Sequence, residues 1–155
     1  MNQPRSSEGM SLIVKTVCGW LKGFILLYGI HIILYGHLTP GGGFAGGAVA
    51  ASAFVLVMLA EGEQTGLKTF SRKAASTWRS AGALLFLGIA GLGLVLTGTF
   101  FANFWTGNES GGFGSSIQAC ELGIGMLVCS SLYLVIVTAV PAIKKQERPV
   151  KGEAP

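Results

Sequence analysis

Four long apolar segments divide the chain, and polar connections separate them. The segments lie at about 12–35, 44–60, 81–101 and 116–141. A helix that crosses a bilayer needs about 20 mostly apolar residues, with a range of about 17–25. The apolar–polar alternation that is typical of membrane β-barrel strands is absent from these segments. The pattern therefore predicts an all-α integral membrane protein with four transmembrane helices.

A single membrane domain accounts for most of the chain. We expect this domain at 10–143, between a polar N-terminal tail at 1–9 and a basic C-terminal tail at 144–155. With 155 residues, the chain is too short for two domains of the usual size. The two tails are polar and contain Pro and Gly, so we expect no independent fold in them.

The composition supports a membrane protein and argues against a nucleic-acid-binding protein. Hydrophobic residues make up 50% of the chain and charged residues only 12%, about half of the usual quarter for a soluble domain. The net charge of +4 comes from Lys and Arg residues at the ends of the apolar segments, and these do not form one stripe. We therefore expect the lipid bilayer to surround the protein and no nucleic acid among its partners.

The positions of the basic residues predict the orientation in the membrane. The connections at 37–43 and 102–115 contain no Lys or Arg. Basic residues are instead found in or before the first segment, between the second and third segments, and after the fourth segment. Short loops rich in Lys and Arg stay in the cytoplasm. Both termini are therefore predicted to be cytoplasmic, and the connections at 37–43 and 102–115 are predicted to lie outside.

Small residues at helical spacing predict close helix packing on several surfaces. Lipid tails provide no hydrophobic drive for helix association, so small residues mark the places where another helix approaches. These positions are more numerous than a compact four-helix unit needs, and they favour packing against other subunits. The residues are Gly19 and Gly23 in the first segment, Gly88, Gly91 and Gly93 in the third, and Ala119 and Gly123 in the fourth.

Titratable residues inside the segments are too few for an independent transporter. Beyond the first few residues of each segment, the charged or imidazole side chains are Lys22, His31 and Glu121, with His37 at the outer end of the first segment. A relay of protons or cations has to cross about 30 Å of hydrocarbon, and three scattered residues cannot provide one. A standalone small transporter is therefore disfavoured.

No cofactor or metal is expected. A haem cytochrome needs axial ligands on two facing helices, whereas His31 and His37 both lie on or beside the first segment. Cys120 and Cys129 are separated by nine positions, which places them on opposite sides of a helix, so they cannot share a metal ion.

Residues 37–47, HLTPGGGFAGG, join the first two segments. Although the glycines match the pattern G-x-G-x-x-G, a membrane helix precedes them instead of the buried strand that a dinucleotide site requires. Pro40 lacks an N–H and disfavours helical geometry at Thr39, so the first helix should end by that residue. The three consecutive glycines Gly41, Gly42 and Gly43 permit positive φ angles and close backbone contact. We expect a tight turn that either only connects two helices or faces a neighbouring subunit or water path.

This turn and the Ala-rich helix after it resemble the signature of the MnhB/MrpB family, the B subunits of Mrp-type Na+/H+ antiporters. The similarity extends upstream through the first segment and downstream to residues 121–125, ELGIG. It therefore covers most of the chain except the tails. The matching residues of the central motif are His37, Thr39, Pro40, Gly41, Gly42, Gly43, Phe44, Gly46 and Gly47.

The resemblance implies a non-catalytic membrane subunit of a multisubunit Na+/H+ antiporter in a prokaryotic cell (inner) membrane. Its partners would be other membrane subunits, especially a large A-type subunit, and the complex would transport Na+ and H+. The alternative is the equivalent subunit of a ferredoxin-linked membrane-bound hydrogenase or sulfane-reductase complex.

Seven residues are candidates for the ion path or for assembly. Glu121 lies about 8 Å into the fourth segment at 1.5 Å per residue, where a carboxylate is costly unless it faces protein or water. It is either a proton relay or cation ligand near the outer mouth, or a hydrogen-bonding residue at a helix contact. The candidates are His37, Pro40, Gly41, Gly42, Gly43, Phe44 and Glu121.

Overall fold

The computed structural model describes residues 12–36, 38, 40–102 and 115–146. Within these ranges the chain is helical and has no strand. Four of the helices are long and apolar enough to cross a membrane, as the hydrophobic pattern predicts, and α3 is a short additional helix. The helices are α1 Leu12–Tyr35, α2 Gly42–Glu61, α3 Glu63–Thr69, α4 Arg72–Thr97 and α5 Ser116–Gln146.

Helices α2 and α5 form the centre of the molecule. Helix α2 packs against α1 and α5, while α4 packs mainly against α5. Half of the residues in the most apolar 18-residue stretch of α2 are buried, whereas only 11% are buried in the corresponding stretch of α1 and 17% in that of α4. The two outer helices therefore present most of their apolar side chains to the surroundings.

Glycines bring α2 into backbone contact with both of its neighbours. A Cβ atom added at Gly46 would lie 2.7 Å from the carbonyl oxygen of Gly29 in α1. One added at Gly47 would lie 2.7 Å from the carbonyl oxygen of Gly125 in α5. Real Cβ atoms do not approach oxygen atoms this closely, so a side chain at either position would push the helices apart. Small residues thus set the interhelical spacing, as expected for membrane helices.

The glycines that the sequence marks as packing positions divide into two groups. Gly123 of α5 contacts Gly82 of α4, where an added Cβ atom would lie 3.1 Å from the Gly82 carbonyl oxygen. Gly93 of α4 also lies in a close contact, since an added Cβ atom would lie 3.1 Å from the Ala102 backbone nitrogen, but this contact is with the segment after its own helix. The other four face open space, because an added Cβ atom would meet nothing within 4 Å. These four are Gly19 and Gly23 on α1 and Gly88 and Gly91 on α4.

Helix α4 begins at Arg72, well before the predicted start of the third span at 81. The side chain of Ser71 accepts a hydrogen bond of 3.2 Å from the Ala74 N–H, which is the usual N-cap arrangement. The first turns of α4 are polar, so an apolar window does not detect them. At the other end the helix stops at Thr97, and Gly98 adopts a left-handed conformation with φ 75°. The span therefore ends earlier than the predicted residue 101.

Helix α5 continues through Pro141 to Gln146, although the sequence predicts its end at 141. Proline has no N–H to donate to the carbonyl oxygen four residues earlier, which belongs to Val137. The Arg72 guanidinium of α4 donates a 3.2 Å hydrogen bond to that oxygen. Because a side chain from another helix satisfies the freed carbonyl, the proline does not terminate α5.

Aromatic side chains fix the end of the molecule that carries α3. Tyr133 of α5 is fully buried, and its hydroxyl donates a 2.7 Å hydrogen bond to the Phe70 carbonyl oxygen. The Phe70 ring lies 5.2 Å from the Tyr133 ring and 5.0 Å from the Phe54 ring of α2. The connection between α3 and α4 is thereby held against α2 and α5.

Candidate functional site

The connection between α1 and α2 is short and depends on glycine. Helix α1 ends at Tyr35, and the Leu38 N–H donates a 2.9 Å hydrogen bond to the Tyr35 carbonyl oxygen. Gly41 and Gly42 have φ angles of 146° and 56°, which side-chain-bearing residues rarely adopt. Both positive φ angles therefore occur within the run of consecutive glycines.

Helix α5 places the side chain of Glu121 against this connection. A Cβ atom added at Gly36 would lie 2.5 Å from Oε2 of Glu121, and one added at Gly42 would lie 3.4 Å from Oε1. The Oε2 atom is buried. The carboxyl group thus lies between the end of α1 and the first turn of α2, where the N-terminus of α2 carries partial positive charge. This location favours a carboxylate more than the surrounding apolar helices would.

Gly43 brings the backbone of α2 onto that of α5 at the same place. A Cβ atom added at Gly43 would collide with the Glu121 carbonyl oxygen and would lie 3.1 Å from the Gly125 N–H nitrogen. Even a methyl group is therefore excluded there. Together, Gly36, Gly42 and Gly43 form the surface against which Glu121 is held. We refer to these four residues as the outer-end site, a name taken from the orientation that the distribution of Lys and Arg predicts.

The other predicted candidates lie outside this contact. Pro40 is exposed, and the Phe44 side chain is 68% exposed. The nearest side chains to a Cβ atom added at Gly41 belong to Ala45 and Ile32, at 3.4 and 3.5 Å, and Glu121 is not among them. The remaining candidate, His37, lies outside the described residues.

His31 and Lys22, the other titratable residues singled out from the sequence within the spans, are separate from the outer-end site. His31 is exposed on α1 and its ring lies 4.6 Å from that of Tyr35. Lys22 is half-buried and lies nearer the opposite end of α1. These two residues are nine positions apart on α1, about 13 Å at 1.5 Å per residue, so together with Glu121 they do not form a continuous relay.

Sequence reasoning missed Gln118, which lies one turn before Glu121 on α5. The side chain is buried, with 8% exposure, and its Nε2 donates a 3.0 Å hydrogen bond to the Leu34 carbonyl oxygen in the last turn of α1. The signal available in the sequence was an amide three residues before the only carboxylate of the fourth apolar segment. That spacing places both side chains on the same side of a helix.

The fold and the outer-end site define a multi-pass helical membrane protein with a carboxylate at one end of its helix assembly. The family described as "Domain related to MnhB subunit of Na+/H+ antiporter" matches residues 13–138. Since this match covers most of the chain, the chain belongs to that family, and the resemblance carried by the Pro/Gly segment is confirmed.

Known proteins similar to this chain include an antiporter component and an uncharacterized protein. The B subunit of a Na+/H+ antiporter of Bacillus subtilis is 34% identical over 145 residues, which cover 88% of this chain and 90% of the Bacillus protein. An uncharacterized protein of Methanocaldococcus jannaschii is 36% identical over 92 residues. That match covers 59% of this chain and 35% of the longer protein.

A solved structure shares the fold. It is a chain of the membrane-bound sulfane sulfur reductase, an archaeal respiratory membrane complex, with a TM-score of 0.73 and 28% sequence identity. The match covers 89% of this chain and 61% of that chain. This chain therefore spans about three fifths of the reductase-complex chain and about a third of the Methanocaldococcus protein, but nearly the whole of the Bacillus protein.

Proposed function

We propose that this chain is a non-catalytic membrane subunit of a multisubunit cation/proton antiporter that exchanges Na+ for H+. The observation that carries the proposal is the similarity to the Bacillus antiporter protein along nearly the full length of both chains. The separation of Lys22, His31 and Glu121 supports a role within a complex, because these three described residues provide no relay across the membrane.

The surfaces of α1 and α4 support the presence of partner subunits. Gly23 and Gly88 face open space on these helices, and small residues allow a neighbouring membrane helix to approach closely. The partners are other membrane subunits, including a large A-type subunit. The complex lies in a prokaryotic cell (inner) membrane with both termini of this chain in the cytoplasm, in agreement with the distribution of Lys and Arg.

The outer-end site is the part of the chain that we assign to the ion path. Glu121 either accepts and releases protons or binds the cation near the outer mouth. Its position against Gly36 and Gly42, beside the positive N-terminus of α2, favours the ionised carboxylate, which is the form that each role requires at one stage. We assign His37, Pro40, Gly41 and Phe44 to the shape of the turn and to assembly, with Gly42 and Gly43 as direct neighbours of Glu121.

Ion exchange in everted membrane vesicles tests the proposal. Vesicles from cells that lack only this chain should lose the collapse of the pH gradient that added Na+ causes, and the full-length chain should restore it. A fluorescent weak base reports the gradient. Retention of the full Na+ response in vesicles without the chain would refute the proposed function.

The structural similarity to the archaeal complex favours a second candidate, a membrane subunit of a ferredoxin-linked reductase or hydrogenase complex. The two candidates differ in their need for electrons. In the antiporter, added Na+ collapses a pH gradient without an electron donor. In a redox complex, ion movement requires reduced ferredoxin together with an acceptor such as sulfane sulfur or protons.

A further inference from the structure

The buried amide of Gln118 joins α5 to α1 through a side-chain hydrogen bond. It lies in the first turn of α5, where Ser115 accepts a 3.4 Å hydrogen bond from the Gln118 backbone N–H. The backbone of residue 118 is therefore held by Ser115, the residue just before α5. Its side chain extends to the end of a different helix, α1.

The acceptor of this bond is a carbonyl oxygen at the point where α1 stops. In a continuing helix, the N–H of Leu38 would donate to the Leu34 oxygen, but here it donates to Tyr35. An unsatisfied backbone carbonyl within a membrane costs several kcal/mol. The Gln118 amide donates to this oxygen in place of the Leu38 N–H.

The same face of α5 carries Glu121 to the turn. Gln118 and Glu121 are separated by three positions, and their partners on the other side, Leu34 and Gly36, are separated by two. Two neighbouring side chains of α5 thus meet two neighbouring positions at the end of α1. The Gln118 contact is a directional hydrogen bond, so it fixes the position of the Glu121 side chain relative to Gly36.

We propose that Gln118 is a positioning residue for the ion-path carboxylate: its hydrogen bond to Leu34 holds the end of α1 so that Gly36 and Gly42 enclose the Glu121 side chain. The inference rests on the proposed function of the outer-end site. Gln118 touches the α1 backbone, and it acts on the transported ion only through Glu121.

Two substitutions of Gln118 test the inference in vesicles that contain the whole complex. Gln118→Met keeps the length of the side chain but removes the donor, and it should lower the exchange rate by about ten-fold. Gln118→Glu keeps the shape but donates only while its carboxyl is protonated. Its exchange rate, divided by that of the wild type at the same pH, should therefore rise as the pH is lowered. Ile117→Met, on a half-exposed neighbour, should leave the ratio near one.

The outcomes separate this inference from the proposed function. Absence of Na+-dependent exchange in wild-type vesicles would refute the proposed function, and with it the basis of the inference. Wild-type exchange together with an unchanged Gln118→Met variant would overturn the inference alone. If the Gln118→Met variant does not assemble, the pH dependence of the Gln118→Glu exchange ratio tests the inference instead. A ratio that rises toward acidic pH supports the positioning role, and a ratio that does not vary with pH overturns it.

Discussion

Two polar side chains satisfy backbone carbonyls that the membrane helices leave open. The Gln118 amide donates to Leu34 at the end of α1, and the Arg72 guanidinium donates to Val137, whose oxygen Pro141 leaves without an N–H donor. An open carbonyl is costly wherever the bilayer excludes water. Individual polar residues of the membrane helices therefore carry out specific structural tasks, and their loss should cost more than the loss of an average apolar residue.

Glu121 offers the sharpest substitution test of the outer-end site. Glu121→Gln retains the shape and the hydrogen-bonding capacity but removes titration, whereas Glu121→Ala removes both. If the carboxylate belongs to the ion path, the Gln variant should assemble normally and lose most Na+/H+ exchange, by about ten-fold or more. Exchange rates across pH, normalised to the amount of assembled complex, measure this.

The comparison between the two Glu121 variants also reveals a purely structural role. In that case Glu121→Gln would keep the wild-type exchange rate at every pH and only Glu121→Ala would be defective. The assignment of Glu121 to the ion path would then be wrong.

Tyr133 makes a separate prediction about stability. Tyr133→Phe leaves the buried ring in place but removes the 2.7 Å hydrogen bond to the Phe70 carbonyl oxygen. The loss should lower the free energy of unfolding by about 1–2 kcal/mol, measured by titration of the purified chain from mild detergent into a denaturing one. Tyr28→Phe, at an exposed position of α1, serves as the control and should change little. Equal stabilities of the two variants would contradict the assigned role of the Tyr133 hydroxyl.

At the scale of the helices, the contact between α2 and α5 depends on Gly43. Gly43→Ala would force a methyl group against the backbone of Glu121 and Gly125, so α2 has to move away from α5. We expect a loss of about 1–3 kcal/mol of stability and a clear drop in exchange. Gly88→Ala adds the same methyl group to a helix face with open space, and it should leave the folding of the chain unchanged or slightly stabilised. Similar effects of both variants on the folded chain would contradict the close contact.

The four membrane helices could be predicted from the sequence because their signal is local. Each is a run of apolar residues of sufficient length. Their ends were less predictable, since they depend on polar residues and on distant partners. The cap at Ser71 lies outside the apolar window of α4, and the passage of α5 through Pro141 depends on Arg72 of another helix.

The outer-end site was only partly predictable for the same reason. The Pro/Gly segment and Glu121 were each recognisable as unusual residues within apolar surroundings. Their contact depends on α5 lying beside the end of α1 and the start of α2, which no periodicity in the sequence specifies. Gln118 was missed because a single buried amide has no pattern of its own. Phe44 stays a candidate for assembly, since its side chain is exposed in the single chain.

At the scale of the whole molecule, the orientation in the membrane is directly testable. With the native cysteines replaced by serine, Thr99→Cys should react with an impermeant thiol reagent added to intact cells. Thr69→Cys, on the side rich in Lys and Arg, should react only after permeabilisation. Both positions are exposed, so access to the reagent should decide the result. The opposite labelling pattern would reverse the proposed topology.

The two outer helices, α1 and α4, have surfaces that other helices of the chain do not cover. Helices α1 and α4 bury little of their apolar surface within the chain, and their open glycines face outward. A chain of this kind fits a place between other subunits, where those faces meet neighbouring helices.

The most direct test of the central proposal is purification of the tagged chain from native membranes in mild detergent. We expect the chain to elute together with several larger membrane subunits, and the reconstituted complex to exchange Na+ for H+. The chain purified alone should show no exchange in the same liposomes. An isolated chain that exchanges Na+ for H+ without any other subunit would contradict the account.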